Sequence, residues 1–211
     1  MSVARAAWRL SCWGSPLGDS LGRFSMYQSL RTQFCGLNIG DSVLSISHSS
    51  KLCRLLGATQ ADIVEANYPE QSIDRLKFAS DTFSAVVSDQ VLEHIACMPN
   101  EAIQEVFRVL RPGGYAIHTT CFMMPYHGSA DISDLENGDF WRFTPSGLAR
   151  LHKDYAEIIA ADGWGNTLLP LLGGLGWTHM PVPIRTWHPL NKLARMNRGS
   201  YGHMVWVIAR K

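Results

Sequence analysis

The 211-residue chain gathers its chemically versatile side chains into a few short strings. His127 stands in MPYHG, where an imidazole can take or give a proton near neutral pH. Downstream, GDFWRFTPSGL places Asp139, Trp141 and Arg142 close together. That mixture serves equally to clamp a polar ligand or to pin a loop through an Arg–Asp pair and aromatic packing. Asp89 and Gln90 close the apolar run FSAVVSD, with Glu93 and His94 just beyond, while Ser47, Glu65, Asn67 and Asp74 follow earlier apolar segments. His118, His127 and Asp131 have the residue types of metal ligands but lack close ligand spacing, so no metal site is expected. The five cysteines, at 12, 35, 53, 97 and 121, form no CxxC pair and leave an odd count. They are expected to be reduced thiols serving as small buried hydrophobes.

These residues need a scaffold, and the apolar spacing describes one. Leu21, Phe24, Tyr27, Leu30 and Phe34 recur at three and four, the stripe of an amphipathic helix ended by Gly36. Residues 1–22 are expected to be turn-rich and draped over the fold. SVLSIS at 42–47 reads as a strand followed by a helix over 51–56, and ADIVEAN at 61–67 as a second strand closed by Tyr68-Pro69. FSAVVSD at 83–89 is a buried strand. Glu93 and His94 are expected to open the following helix, with Glu93 either complementing its N-terminal dipole or working in a site. Helical periodicity in Ala102, Ile103, Val106, Phe107 and Leu110 stops at Pro112-Gly113-Gly114, and 114–123 is again a strand. A helix at 145–152, a strand at 155–160, loops folded back over 163–187 and a last antiparallel strand in MVWVIARK complete the chain.

Strands alternating with helices indicate βαβ units around a mostly parallel sheet. Ligands of such sheets bind beyond the carboxyl ends of the strands. Those ends are Ser47–Ser50, Glu65–Tyr68, Asp89–His94 and Cys121–His127.

Composition bounds the partners. The formal charge is +1, with 46% hydrophobic and 18% charged residues, which suits a folded chain with its own core and disfavours disorder. A balance so close to neutral argues against a strong grip on nucleic acid or an anionic membrane. No apolar run reaches the ~20 residues of a membrane span. The first twenty residues lack the apolar core of a secretion signal, so a cytoplasmic location is expected. With no linker, the chain is expected to be one domain. Residues 1–38 would form an N-terminal segment, 40–123 a ligand-binding half, and 124–211 the loops and strands facing a second substrate.

FSAVVSDQVLEHI followed by RVLRPGG resembles the second half of a class I S-adenosylmethionine-dependent methyltransferase. SIDRLKFASDTFSAVV is similar to the segment before that family's fourth strand, and DFWRFT resembles a string of the type 11-like branch. The resemblance covers about residues 40–150, and its parts are specific in combination and order. It implies a Rossmann-like three-layer sandwich with a seven-stranded sheet and an antiparallel last strand, and S-adenosyl-L-methionine as cofactor. Glu65 or Asn67 would take the ribose hydroxyls and Asp74 the adenine edge, unless Asp74 is only a turn cap. Asp89 would face the methionine ammonium, with Ser47 and Gln90 beside it. A small-molecule or carbohydrate-type acceptor would meet Tyr126, Asp139, Trp141 and Arg142, with His127 as general base. One string departs from the family: Ser45-Ile46-Ser47-His48-Ser49-Ser50 stands where a glycine-rich turn preceded by a carboxylate is expected. The alternative is therefore a non-catalytic protein that keeps the fold.

Overall fold

A computed structural model describes residues 3–34, 36–175, 177–197 and 202–211. Helix α1 (Val3–Ser11), strand β1 (Leu17–Ser20) and helix α2 (Leu21–Phe34) lead into β2 (Val43–Ile46), α3 (Ser50–Leu55) and β3 (Ile63–Ala66). Then come β4 (Phe83–Asp89), α4 (Pro99–Val109), β5 (Leu110–Cys121), α5 (Pro145–Leu151) and β6 (Glu157–Trp164). Helix α6 (Leu169–Gly174), strand β7 (Pro181–Pro183), helix α7 (Pro189–Arg195) and strand β8 (Met204–Arg210) follow.

The main sheet runs β3-β2-β4-β5-β8-β6. The β2–β3, β2–β4 and β4–β5 pairs are parallel, and β8 lies antiparallel between β5 and β6. Six strands thus form this sheet among the described residues, where seven were expected. The prolines of β7 cannot donate to a central ladder, and that strand pairs instead with β1 in a separate two-stranded sheet.

Alternate strand residues feed two apolar layers. Val43, Ala85, Val87, Ile117 and Ile208 pack with α2 and α3 through Leu30, Leu52 and Cys53. Leu44, Val86, Ala116 and Val207 pack with α4 and α5 through Ile103, Val106 and Leu148. Strands buried on both faces in this way read as continuous apolar runs, which is why β4 and β8 are legible at once. Helix α5 is set by Thr144, whose side chain accepts the Gly147 N–H at 3.0 Å.

Three expectations are corrected. The N-terminal segment holds a helix, because Trp8 is buried and its Nε1–H donates to Pro181 O at 3.0 Å. The stretch 163–187 contains α6 and β7. The helix after β4 starts at Pro99, a favoured first-turn residue, and Leu92–His94 form only one tight turn. Glu93 cannot belong to a longer helix, since its carbonyl accepts from Phe140 N and Trp141 N. The RPGG string lies within β5 as a bulge: Phe83 pairs with Leu110 and Ala85 with Tyr115, the extra length turning at left-handed Gly113.

The backbone at the site end of the sheet is unusual. Ser47 (φ 48°), His48 (φ 64°) and Gln90 (φ 59°) are left-handed without being glycine. The turn after β2 thus takes a backbone conformation that glycine favours, with serine and histidine in its place. Hydrogen bonds hold it: Ser47 N to Ala66 O and His48 N to Asn67 Oδ1, each 2.9 Å. The buried Ser49 hydroxyl donates to Ile46 O at 2.5 Å and accepts Asp89 N–H at 2.7 Å, tying the ends of β2 and β4 together.

Three buried imidazoles set the acid limit of this packing. Burial pushes His152 and His203 down to about 4, and holds His118 well below the usual range. The unfolded chain therefore binds more protons than the folded one below about pH 6.5, so stability must fall as pH drops from there through about 4. Urea unfolding across that window is expected to lose up to about 3 kcal/mol per imidazole, and a flat profile would contradict the assignment. In the strained turn, His48→Gly is expected to raise stability by about 0.5–1 kcal/mol, net of glycine's greater unfolded freedom. A lower denaturation midpoint would show that the turn is not strained.

Candidate active site

A cavity of about 800 Å³ opens at the carboxyl ends of the parallel strands, with Arg23, Ser47, Asp74, Asp89, Gln90 and His94 in its wall. Its best-tied group is Asp89. Thr119 Oγ1–H donates to Oδ1 at 2.7 Å, the Tyr27 hydroxyl donates to Oδ2, and Arg23 Nε lies 3.5 Å from Oδ2. Burial, then the adjacent Asp89 charge, pushes the Tyr27 phenol up, so it stays a donor. In the orientation its neighbours demand, the Gln90 amide donates to Glu93 Oε1 at 3.1 Å and accepts from Thr120 N at 3.2 Å.

The other sequence candidates divide. Asp74 lines the cavity, with its carboxylate accepting the Ser72 hydroxyl and 3.5 Å from Arg75 Nε. It is thus both a turn acceptor and a cavity group. Glu65 and Asn67 are not in the cavity wall. Glu65 accepts from Ser45 Oγ, its partner across the β2–β3 ladder, at 2.9 Å, and Asn67 holds the His48 N–H. From the end of β3 it is Tyr68 that reaches the cavity.

A second pocket of about 550 Å³ meets the first at His94 and Glu136, which line both. His127 borders it. Its Nδ1 lies 3.1 Å from Pro125 O and 3.2 Å from Asp139 Oδ2. Two oxygen neighbours place the proton on Nδ1 and leave the lone pair on Nε2. His94 is fixed the same way, with Nδ1 2.6 Å from Gly138 O, and the two rings meet edge to face at 4.9 Å.

The loop string beyond β5 holds this arrangement. The Asp139 side chain is fully buried, takes both Arg142 Nη groups and accepts the His127 backbone N–H at 2.9 Å. Burial opposes its ionisation, but the Arg142 bonds prevail and keep the carboxyl below its usual range. Arg142 also donates to Met124 O at 3.3 Å, and Trp141 Nε1 to Ile95 O at 2.8 Å. Neither Trp141 nor Arg142 lines either of these two pockets; their hydrogen bonds pin the loop. Tyr126 is exposed, its hydroxyl donating to Ser129 O at 2.5 Å.

Arg23 and Glu136 are wall groups that the sequence alone does not single out, whereas Glu93 stays open there between a helix dipole and a site role. It is fully buried, accepts from Thr120 Oγ1 at 2.7 Å, and burial raises its carboxyl pKa. Its signal is a carboxylate inside the apolar run VLEHI. The donor atoms of His118, His127 and Asp131 do not come together among the described residues, but those of His94, His127 and Asp139 lie within 4.8 Å, as do those of Glu93, Cys121 and His127. The Arg142 charge on both Asp139 oxygens opposes a cation in the first of these groups. Cys12, Cys53, Cys97 and Cys121 are free thiols, and Cys35 lies outside the described residues.

Comparison with known proteins places this geometry. A sequence profile described as a methyltransferase domain matches residues 22–118, which hold α2 to the middle of β5. No curated protein sequence matches the chain at a significant level. Phosphoethanolamine N-methyltransferase 2 of Haemonchus contortus, in complex with S-adenosyl-L-methionine, is similar in structure. It superposes at TM-score 0.55 with 12% identity, over 98% of this chain and 56% of that one. An S-adenosylmethionine-dependent methyltransferase from Mesorhizobium loti gives 0.53 and 12%, over 89% and 98%. The cyclase SpnF gives 0.51 and 15%, over 89% and 80%. The chain is thus built on the Rossmann-like fold of the class I methyltransferases, a scaffold whose similar structures also include a cyclase.

Proposed function

We propose that the chain transfers a methyl group from S-adenosylmethionine to a small-molecule or carbohydrate-type acceptor. The observation that carries this reading is the junction of the two pockets at His94 and Glu136, beside a histidine whose Nε2 has no hydrogen-bond partner among the described residues. The residues present suit the cofactor. A cavity of about 800 Å³ falls in the range of ligand sites, about 300–1,000 Å³, and it offers Arg23 to a carboxylate and Asp89 to an ammonium. Asp74 and the backbone around Ile73 suit an adenine edge. When bound, the cofactor supplies a sulfonium-activated methyl group. The profile match and the cofactor-bound Haemonchus contortus enzyme support that choice.

The chain's own part is positioning and proton handling. Asp89, held by Tyr27, Thr119 and Arg23, keeps a charge at the methionine end without reorganisation on binding. The left-handed Ser47 and His48 bring backbone to the cavity edge as glycines would. On the acceptor side, Asp139 and Pro125 O fix the His127 ring, so Nε2 can accept the proton of an acceptor hydroxyl held in the second pocket. The DFWRFT string serves this site by holding the loop. Without a matched acceptor-binding signature, the acceptor class rests on the pocket's polar lining and size.

Calorimetric titration is expected to show saturable, micromolar binding of S-adenosylmethionine. No heat at high ligand concentration would leave a protein that keeps the fold without the reaction. Asp89→Asn is expected to weaken that binding about tenfold or more, and an unchanged affinity would move the methionine end elsewhere. With acceptors screened by release of S-adenosylhomocysteine, His127→Ala is expected to lower turnover about a hundredfold or more while cofactor affinity stays unchanged. Full turnover in that variant would remove His127 from the chemistry.

A further inference from the structure

The net charge of +1 conceals a strong polarity along the chain. The first carboxylate is Asp19 and the last is Asp162, so residues 1–18 and 163–211 contain no acidic side chain. Those segments hold eight of the 19 basic residues: Arg5, Arg9, Arg185, Lys192, Arg195, Arg198, Arg210 and Lys211. Arg210 and Lys211 pair with Glu157 and Asp81 and belong to the sheet.

The fold brings the two ends together. Strand β1 pairs with β7, Trp8 Nε1 donates to Pro181 O, and His188 Nε2 lies 2.9 Å from Ser11 O. Ile184 N donates to Pro16 O at 3.0 Å, and the rings of Trp8 and Trp177 meet edge to face at 5.1 Å. Around this junction, large apolar side chains point into solvent: Trp13 is 88% exposed, Leu10 74% and Trp187 62%, with Leu17 and Ile184 about half exposed. Helix α6 extends the pattern with Leu171 at 68% and Leu175 at 52%. Arg185 lies 6.0 Å from the Trp187 ring.

We infer that this surface docks on an anionic lipid bilayer. Exposed tryptophans and leucines interspersed with arginine and lysine, with the one carboxylate of β1, Asp19, paired to Lys51, are the composition of a face that lies in the headgroup region. The aliphatic and indole groups enter the acyl boundary, and the cations meet lipid phosphates. Apolar exposure on this scale is not the scatter of an ordinary monomer surface. Nucleic acid fits less well, because exposed leucines and isoleucine have no counterpart on a phosphate backbone. The absence of acidic residues from 1–18 and 163–211 also lowers the repulsion that an anionic surface would otherwise meet. Helix α6 packs on the segment before His127, with Gly173 against Pro125, but the docking surface stands on its own whether or not methyl transfer is the reaction.

The test is co-sedimentation of the full chain with vesicles of phosphatidylcholine alone or with about one third phosphatidylglycerol. Binding at least about tenfold tighter to the anionic vesicles, weakened by added salt, is expected. The double variant Trp13→Ser/Trp187→Ser and the double variant Arg185→Glu/Lys192→Glu should each weaken it about tenfold or more. All four positions lie outside the cofactor cavity, and melting curves will check that both variants fold. Absence of the wild-type chain from the anionic vesicle pellet overturns the inference. So does undiminished binding by both variants, or a wild-type dimer that the tryptophan variant converts to monomer, since a second copy would then be what covers the face.

Discussion

A carboxylate buried at the end of a strand must be neutralised or the strand end cannot close over it. The Asp89 carboxylate meets that demand with three partners drawn from two other elements. Tyr27 and Arg23 come from α2 and Thr119 from β5, while Ser49, in the turn after β2, accepts the Asp89 backbone N–H. One residue thereby fixes how α2, the first turn and two central strands meet. The cavity wall inherits its shape from that agreement.

The same economy governs the first turn and the acceptor loop. In the turn, backbone strain at Ser47 and His48 is offset by hydroxyl and amide bonds from Ser49 and Asn67, so side-chain hydrogen bonding replaces the freedom of glycine. In the loop, Asp139 is at once the partner of Arg142 and the support of His127. Residues that look like ligand contacts by type turn out to hold other residues in place. Such supporting groups decide how well a site keeps its geometry.

Much of this was legible in the sequence, for physical reasons that differ by element. The bounds of α2 and β4 follow from a helical stripe and a doubly buried apolar run, signals that tertiary context reinforces. Ser47, Asp89 and Gln90 come to line one cavity because parallel strands point their carboxyl ends at it, and Asp74 joins them from the loop between β3 and β4. Glu65 and Asn67 lie outside that wall, since one residue along a strand reverses the face and no sequence pattern fixes which side of a short edge strand meets the cavity. The sequence leaves Glu93 open between a helix dipole and a site role because its burial depends on Phe140 and Trp141 arriving from far along the chain. Net charge hid the polarity between ends and middle, which only their convergence in space makes into a surface.

The place of β8 has a consequence for the order of folding. This strand, Met204–Arg210, fills the gap between β5 and β6 and pairs with both. Until it arrives, β5 and β6 each present an open edge, and the core side chains Trp206 and Ile208 are missing from the layer under α2. The sheet's right half therefore has to wait for residues more than eighty positions beyond β5, whereas β2 to β5 can pair from nearer contacts. Long-range closure of this kind slows the final step and leaves sticky edges exposed meanwhile. A nascent chain would thus hold a preformed β2–β5 half beside an unfinished β6–β8 half until that last strand is threaded in.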